Sequence, residues 1–216
     1  MKNSILLILT LLTYRPVTSQ PRLGLEQYFC SGSSAATAPV TRVYFETATK
    51  NYLEARYNYD AEGCFGISAG RRFTSNPDGN KALAWTLTPT VGVVAGNCQG
   101  FSLGANFGVR FHAWNFSSAV QLTPAKADGY GYSWSEAGRS FGDKIYLGVA
   151  LQQDWRFTSS CRWSPGLTAQ LSLGSWTLPV YIFNPFEKGV WLLAGLTREW
   201  VLHKKPDHPK KSLPSQ

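Results

Sequence analysis

The chain has 216 residues, a single-domain length, and 44% hydrophobic, 14% aromatic and only 16% charged residues exclude a disordered tail, a linker array and a collagen. Twenty glycines, twelve prolines, eight tryptophans and ten tyrosines against one methionine, with a mean hydropathy of −0.17, describe strand and turn formers and argue against a helical bundle. Of the formal charge of +8, Lys2 and Arg15 lie in the leader and four lysines against Asp207 in the tail, which leaves +3 on residues 20–202 and no basis for a nucleic-acid partner.

Residues 1–19 read as a cleaved signal peptide: Lys2 supplies the positive start, Ser4 to Leu12 a short apolar run, and Val17-Thr18-Ser19 the small residues before Gln20. The run falls far short of the roughly 20 residues a spanning helix needs. Residues 20–39 form an N-terminal segment that holds a possible first strand.

From residue 40 to 202 the chain is a succession of segments with period-two alternation. Candidate strands fall near Val40–Ala48, Asn51–Asp60, Gly63–Phe73, Ala82–Gly96, Phe101–His112, Trp114–Thr123, Tyr130–Gly138, Lys144–Phe157, Cys161–Gly174, Trp176–Phe183 and Val190–Trp200. In the fifth, Phe101, Leu103, Ala105, Phe107, Val109 and Phe111 share one face, while Ser102, Gly104, Asn106, Gly108, Arg110 and His112 share the other. Leu53, Ala55, Tyr57 and Tyr59 repeat the pattern, as do Trp163, Leu167, Ala169, Leu171 and Leu173. Turn chemistry separates the strands at Pro77-Asp78-Gly79-Asn80, Asp128-Gly129, Phe141-Gly142-Asp143-Lys144 and Asn184-Pro185. With no helical crossover, the strands should be consecutive antiparallel neighbours.

Which face is wet decides the architecture. A soluble barrel would show water a face rich in Lys and Glu. Here the polar face is mostly Gly, Ser, Thr, Asn and Gln, and the only lysines of the body, Lys50, Lys81, Lys126, Lys144 and Lys188, sit at or beside turns. Such a face suits a crowded polar lumen and leaves the apolar face to lipid. Tyr44, Tyr57, Tyr59, Trp85, Trp114, Trp155, Trp163, Trp176 and Trp200, near strand ends, would form interfacial girdles. The expected fold is all-β: a single antiparallel up-and-down transmembrane β-barrel.

Two stretches carry a resemblance. Asn51-Tyr52-Leu53-Glu54-Ala55-Arg56-Tyr57-Asn58-Tyr59 is one. The other is Tyr132-Ser133-Trp134-Ser135-Glu136 with Leu151-Gln152-Gln153 and Val180-Tyr181-Ile182-Phe183-Asn184-Pro185-Phe186. Together they resemble a family of outer-membrane β-barrel proteins of Bacteroidetes-type bacteria, over roughly Tyr44 to Trp200. The resemblance implies the bacterial outer membrane and the barrel, and no catalytic residues; the four cysteines and the basic tail depart from it.

Bacterial barrels have an even strand number with both termini periplasmic. Eleven candidates therefore become twelve, if residues near Leu23 to Cys30 add a strand, or ten if the first does not span; twelve is favoured. Labelled back from the last strand, Cys64, Cys98 and Cys161 fall beside external connections, and a rising first strand brings Cys30 to the same rim. Two disulfides among Cys30, Cys64, Cys98 and Cys161 are one reading, with three connectivities open. Free or metal-binding thiols are the other, for which the spacing offers no metal pattern.

Little in the chain suits catalysis. His203 and His208 lie in the tail region, which leaves His112, with Asn115, Ser117 and Ser118 nearby, as the one base for an outer-membrane lipid-modifying enzyme. Arg110 beside it opposes its protonation, and the protein is read as no enzyme. No nucleotide-binding glycine loop is present, and no cofactor is expected. The inward charges are better placed to act: Glu54, Arg56, Arg72, Arg110, Asp154 and Arg156, with His112, lie on polar faces as pore-lining or plug-forming candidates. Four arginines against two acids would favour anions if the lumen conducts. Residues 203–216, lysine-rich and broken by three prolines, form a basic disordered tail.

The chain thus reads as a monomeric outer-membrane barrel, a small pore or a structural or binding barrel. Its partners are membrane lipids and, during insertion, the barrel-assembly machinery, which the closing Arg198-Glu199-Trp200-Val201 resembles a signal for. A secreted soluble barrel around an apolar ligand is the alternative.

Overall fold

A computed structural model describes residues 20–32, 39–58, 63–75, 83–124, 129–156 and 161–202. The leader at 1–19, the tail at 203–216, Tyr59, Lys81, Lys126 and the turn at 77–80 lie outside the described residues.

Thirteen strand segments follow one another, with no helix among the described residues: β1 Arg22–Gly32, β2 Pro39–Glu46, β3 Asn51–Tyr57, β4 Cys64–Arg71, β5 Phe73–Thr74, β6 Leu83–Gly96, β7 Gly100–Phe111, β8 Trp114–Thr123, β9 Tyr130–Phe141, β10 Ile145–Arg156, β11 Cys161–Leu173, β12 Trp176–Phe183 and β13 Trp191–Val201. Apart from β4 and β5, which both pair with β6, each pairs antiparallel with its sequence neighbours, and β1 closes on β13 through a ladder running from Arg22↔Val201 to Gly32↔Trp191. β4 and β5 are two parts of one strand. Both pair with β6 in a single register, Gly70↔Thr90 continuing as Phe73↔Leu87. That register sets Pro89, which has no N–H to give, opposite Arg71, and the ladder lapses there. The barrel therefore has twelve strands, and the segment near Leu23 to Cys30 supplies the twelfth.

Closure removes every sheet edge and leaves two faces. Outside stand the apolar sets read from the alternation: Phe101, Leu103, Phe107 and Phe111 on β7, Leu53 and Tyr57 on β3, Trp163, Leu167, Leu171 and Leu173 on β11. Phe101 is 76% exposed and its neighbour Ser102 only 5%. The buried residues are mostly the polar ones, Glu54, Arg56, Thr88, Thr90, Gln121, Ser164 and Thr168 among them. A soluble protein would have these faces exchanged.

Both termini of the barrel and the turns at 47–50, 112–113, 142–144 and 174–175 share one end, here the turn end; the opposite end is the loop end. Each of these four turns places a residue at positive φ: Lys50 (69°), His112 (52°), Gly142 (61°) and Gly174 (63°).

Candidate functional site: a polar lumen with an aromatic wall

Side chains on β1–β4 project an ion network into the barrel. Glu54, 1% exposed, is its centre. Arg42 Nε donates to Glu54 Oε2 at 2.6 Å, while its two terminal nitrogens reach Glu26 Oε1 (2.9 Å) and Tyr52 Oη (2.8 Å). Tyr52 O–H donates to Glu54 Oε2 at 2.6 Å, and Arg56 Nε donates to Glu54 Oε1. Arg56 also donates to Gln121 Oε1 at 3.1 Å on β8, four strands round the barrel, so hydrogen bonds cross the lumen as a chord. A buried carboxylate persists only with such partners. Nearer the turn end, Glu46 pairs with Lys50 (2.9 Å) and Arg72 (2.7 Å), and Glu199 takes Arg22 (3.0 Å) and the Tyr44 hydroxyl (2.9 Å).

The facing wall, β9 to β13 with β1, is aromatic. Tyr181, Phe183, Leu193 and Ala150 are buried together, with Tyr28, Cys30, Trp134 and Trp191 packed on them. Phe183 stacks on Trp191 at 4.2 Å, and Trp134 meets Tyr181 and Phe183 edge-on at 4.9 and 5.1 Å. Against these rings, Glu136 accepts from Trp134 Nε1 (2.6 Å), Tyr181 O–H (2.9 Å) and Gln170 Nε2 (3.2 Å). Between the walls lies a cavity of about 680 Å³, reaching from Cys30, Asn58, Arg162 and Asn184 at the loop end down to Gln170 and Thr197. Gly195 makes room beside it, since a Cβ there would stand 2.4 Å from the Tyr28 ring.

The sequence-derived site residues distribute as follows. Glu54, Arg56 and Arg72 are brought into the lumen and into ion pairs. Asp154 accepts from Gln152 (3.0 Å) and lies 3.7 Å from Arg162 at the loop end. Arg110 and Arg156 keep inward parity but are exposed near opposite ends, Arg110 next to the β7–β8 turn. His112 stands in that turn at φ 52°, exposed, with its ring 4.5 Å from Phe111. No hydrogen bond joins it to a serine among the described residues: Asn115 donates to Ser140 Oγ (2.9 Å), and the Ser118 hydroxyl pairs with that of Ser135 (3.0 Å). The constellation for a serine nucleophile is not assembled there.

Two expectations are corrected. Tyr44 belongs to no girdle; it shares the inward parity of Arg42 and Glu46, its ring stacks on Tyr52 at 5.8 Å, and Gly24 clears the space for it. Only one disulfide forms, Cys64–Cys98, while Cys30 and Cys161 are free. All four cysteines do lie at the loop end. Cys30 on β1 and Cys161 on β11 are separated by β13 and β12, about 14 Å at 4.7–4.9 Å per ladder, too far for a bridge.

Sequence reasoning missed Glu26, Arg42, Glu46, Lys50, Glu136 and the aromatic wall. Parity with Glu46 was available for Arg42, and the unbroken run Leu178–Phe183 signalled a strand apolar on both faces.

No family model and no curated protein matches the chain. Solved structures do match. A KdgM porin superposes with a TM-score of 0.53 at 10% identity, over 84% of this chain and 99% of its own. A KdgM porin in complex with disordered oligogalacturonate gives 0.53 at 8% identity, with the same coverage of 84% and 99%. A structure solved for a study of in-meso crystallization of membrane proteins gives 0.60 at 10% identity, over 87% of this chain and 86% of that one. At such identities the likeness is one of fold: this chain shares the closed antiparallel barrel of those porins.

Proposed function

We propose that this protein is a small pore of a bacterial outer membrane, inserted as a monomer by the barrel-assembly machinery, in keeping with the resemblance to Bacteroidetes-type barrels. One observation carries the reading: a continuous apolar exterior encloses an interior of buried ion pairs beside a cavity of about 680 Å³. The exterior is stable only against lipid, and the interior charges only where water or partners reach them. Catalysis has no part in it.

Nothing about oligogalacturonate is carried over from the similar porin, because Arg42, Arg56 and Arg72 are committed to carboxylates here. Cations exposed at the mouths include Arg110 at the turn end and, at the loop end, Arg156 and Arg162, the latter 3.7 Å from Asp154. The pore is therefore narrow, crossed by the Glu54–Arg56–Gln121 chord, and weakly anion-favouring. Planar-bilayer recording of the refolded mature chain tests this. Discrete steps with anion preference, reduced in R110Q/R156Q/R162Q, are expected; electrical silence from a correctly folded barrel would contradict the pore.

A further inference from the structure

Charge on the outer face of the strands is distributed in one way only. Arg71, Arg139 and Arg198 have outward parity on β4, β9 and β13, alternating with exposed Ala69, Ala137 and Leu196. Every strand acid, Glu26, Glu46, Glu54, Glu136, Asp154 and Glu199, has inward parity instead. The three arginines form one tier. Each is paired across its ladder with the first residue of a strand that starts at the turn end: Arg71↔Asn51, Arg139↔Trp114 and Arg198↔Trp176.

Two of the three lie over aromatic rings. The Arg198 guanidinium lies 4.8 Å from the rings of both Trp176 and Trp200, and Arg139 lies 5.4 Å from Phe141 and 5.9 Å from Trp114. No ion pair joins any of them to a carboxylate among the described residues. The Nε atoms of Arg71 and Arg198 are buried with no hydrogen-bond partner there. A guanidinium stacked on indole keeps its N–H edges free for a planar or phosphate acceptor, which is how arginine differs from lysine.

We propose that this tier is a binding surface for anionic phospholipid, with the arginines engaging headgroup phosphates in the leaflet at the turn end and the flanking tryptophans lying at the glycerol level. Charge complementarity selects the occupant: three cations and, among the described strand residues, no outward acid border an apolar band that only lipid chains suit. The inference rests on the membrane reading of the barrel.

The test uses the full mature chain in nanodiscs of phosphatidylcholine with or without phosphatidylglycerol, with lipid association read by spin-labelled analogues of each headgroup. Far-UV circular dichroism and heat-modifiable migration report insertion separately. The expected result is preferential association of phosphatidylglycerol, weakened by salt, and reduced about fivefold in each of R139Q and R198Q, the equivalent of about 1 kcal/mol per arginine. The R139Q/R198Q pair should lose most of it. A barrel that inserts but associates both lipids equally, or keeps its preference in both variants, overturns the lipid surface and leaves the barrel standing. A chain that inserts into neither disc overturns the membrane reading itself.

Discussion

Glu54 is buried and accepts from Arg42, Tyr52, Arg56 and, at 3.5 Å, Ser68. Removing its charge takes a buried carboxylate partner from both Arg42 and Arg56, which stay inside the barrel. E54Q should therefore cost about 3–5 kcal/mol of stability, since breaking a buried pair strands its partner, whereas E199Q, in the half-exposed pair with Arg22, should cost less than about 1 kcal/mol. Urea midpoints in detergent compare the two, and equal losses would contradict the network's central role. Gly195 makes a second case. An added Cβ meets the Tyr28 ring at 2.4 Å, so G195A should destabilise by about 1–3 kcal/mol through overpacking. Y28A in the same chain should restore part of that loss, as a double-mutant cycle would show. Much at this scale was legible. Glu54 and Arg56 stand two apart on one strand, and that spacing alone puts them on one face as a pair. Glu136 was not legible, because its partners Tyr181 and Gln170 come from β12 and β11, and no local pattern reports which strand lies opposite.

At the scale of elements, alternation gave faces, and faces gave strands. On β3, β7 and β11 one register satisfies every residue, since a slip by one would turn the whole apolar set inward. β12 breaks the rule: Leu178, Val180 and Ile182 face out while Tyr181 and Phe183 face in, so both faces are apolar and the lumen gains its aromatic wall there. The first strand was only half visible because Gln27 takes an outward position, where Thr41 Oγ1 donates to its Oε1 at 2.7 Å. The disulfide was legible as to end but not as to partner. Cys64 opens β4 and Cys98 follows β6, and those two strands are hydrogen-bonded neighbours, a fact of topology rather than of spacing. Alkylation without reduction should modify two thiols, Cys30 and Cys161, and intact mass counts them; four or none modified would contradict the assignment. C64S/C98S should lower stability by about 2–4 kcal/mol.

Across the whole molecule, the barrel is inverted relative to a soluble protein. Its ion pairs lie inside, most of its leucines, valines and phenylalanines outside, and, among the described strand residues, its outward charges are confined to one tier. That inversion accounts for the shortage of lysine on the strands, for the buried Glu54 that would be costly in an apolar core, and for a fold shared with porins at 10% identity. Its most direct measurement is a nitroxide scan along β7 from Phe101 to Phe107, in a chain with Cys30 and Cys161 replaced by serine, reconstituted in bilayers. Labels at Phe101, Leu103, Ala105 and Phe107 should be accessible to oxygen, and those at Ser102, Gly104 and Asn106 should be shielded from it, with a period of two. Access by a water-soluble nickel complex to the first set, or loss of the period, would contradict a barrel that faces lipid with its apolar side.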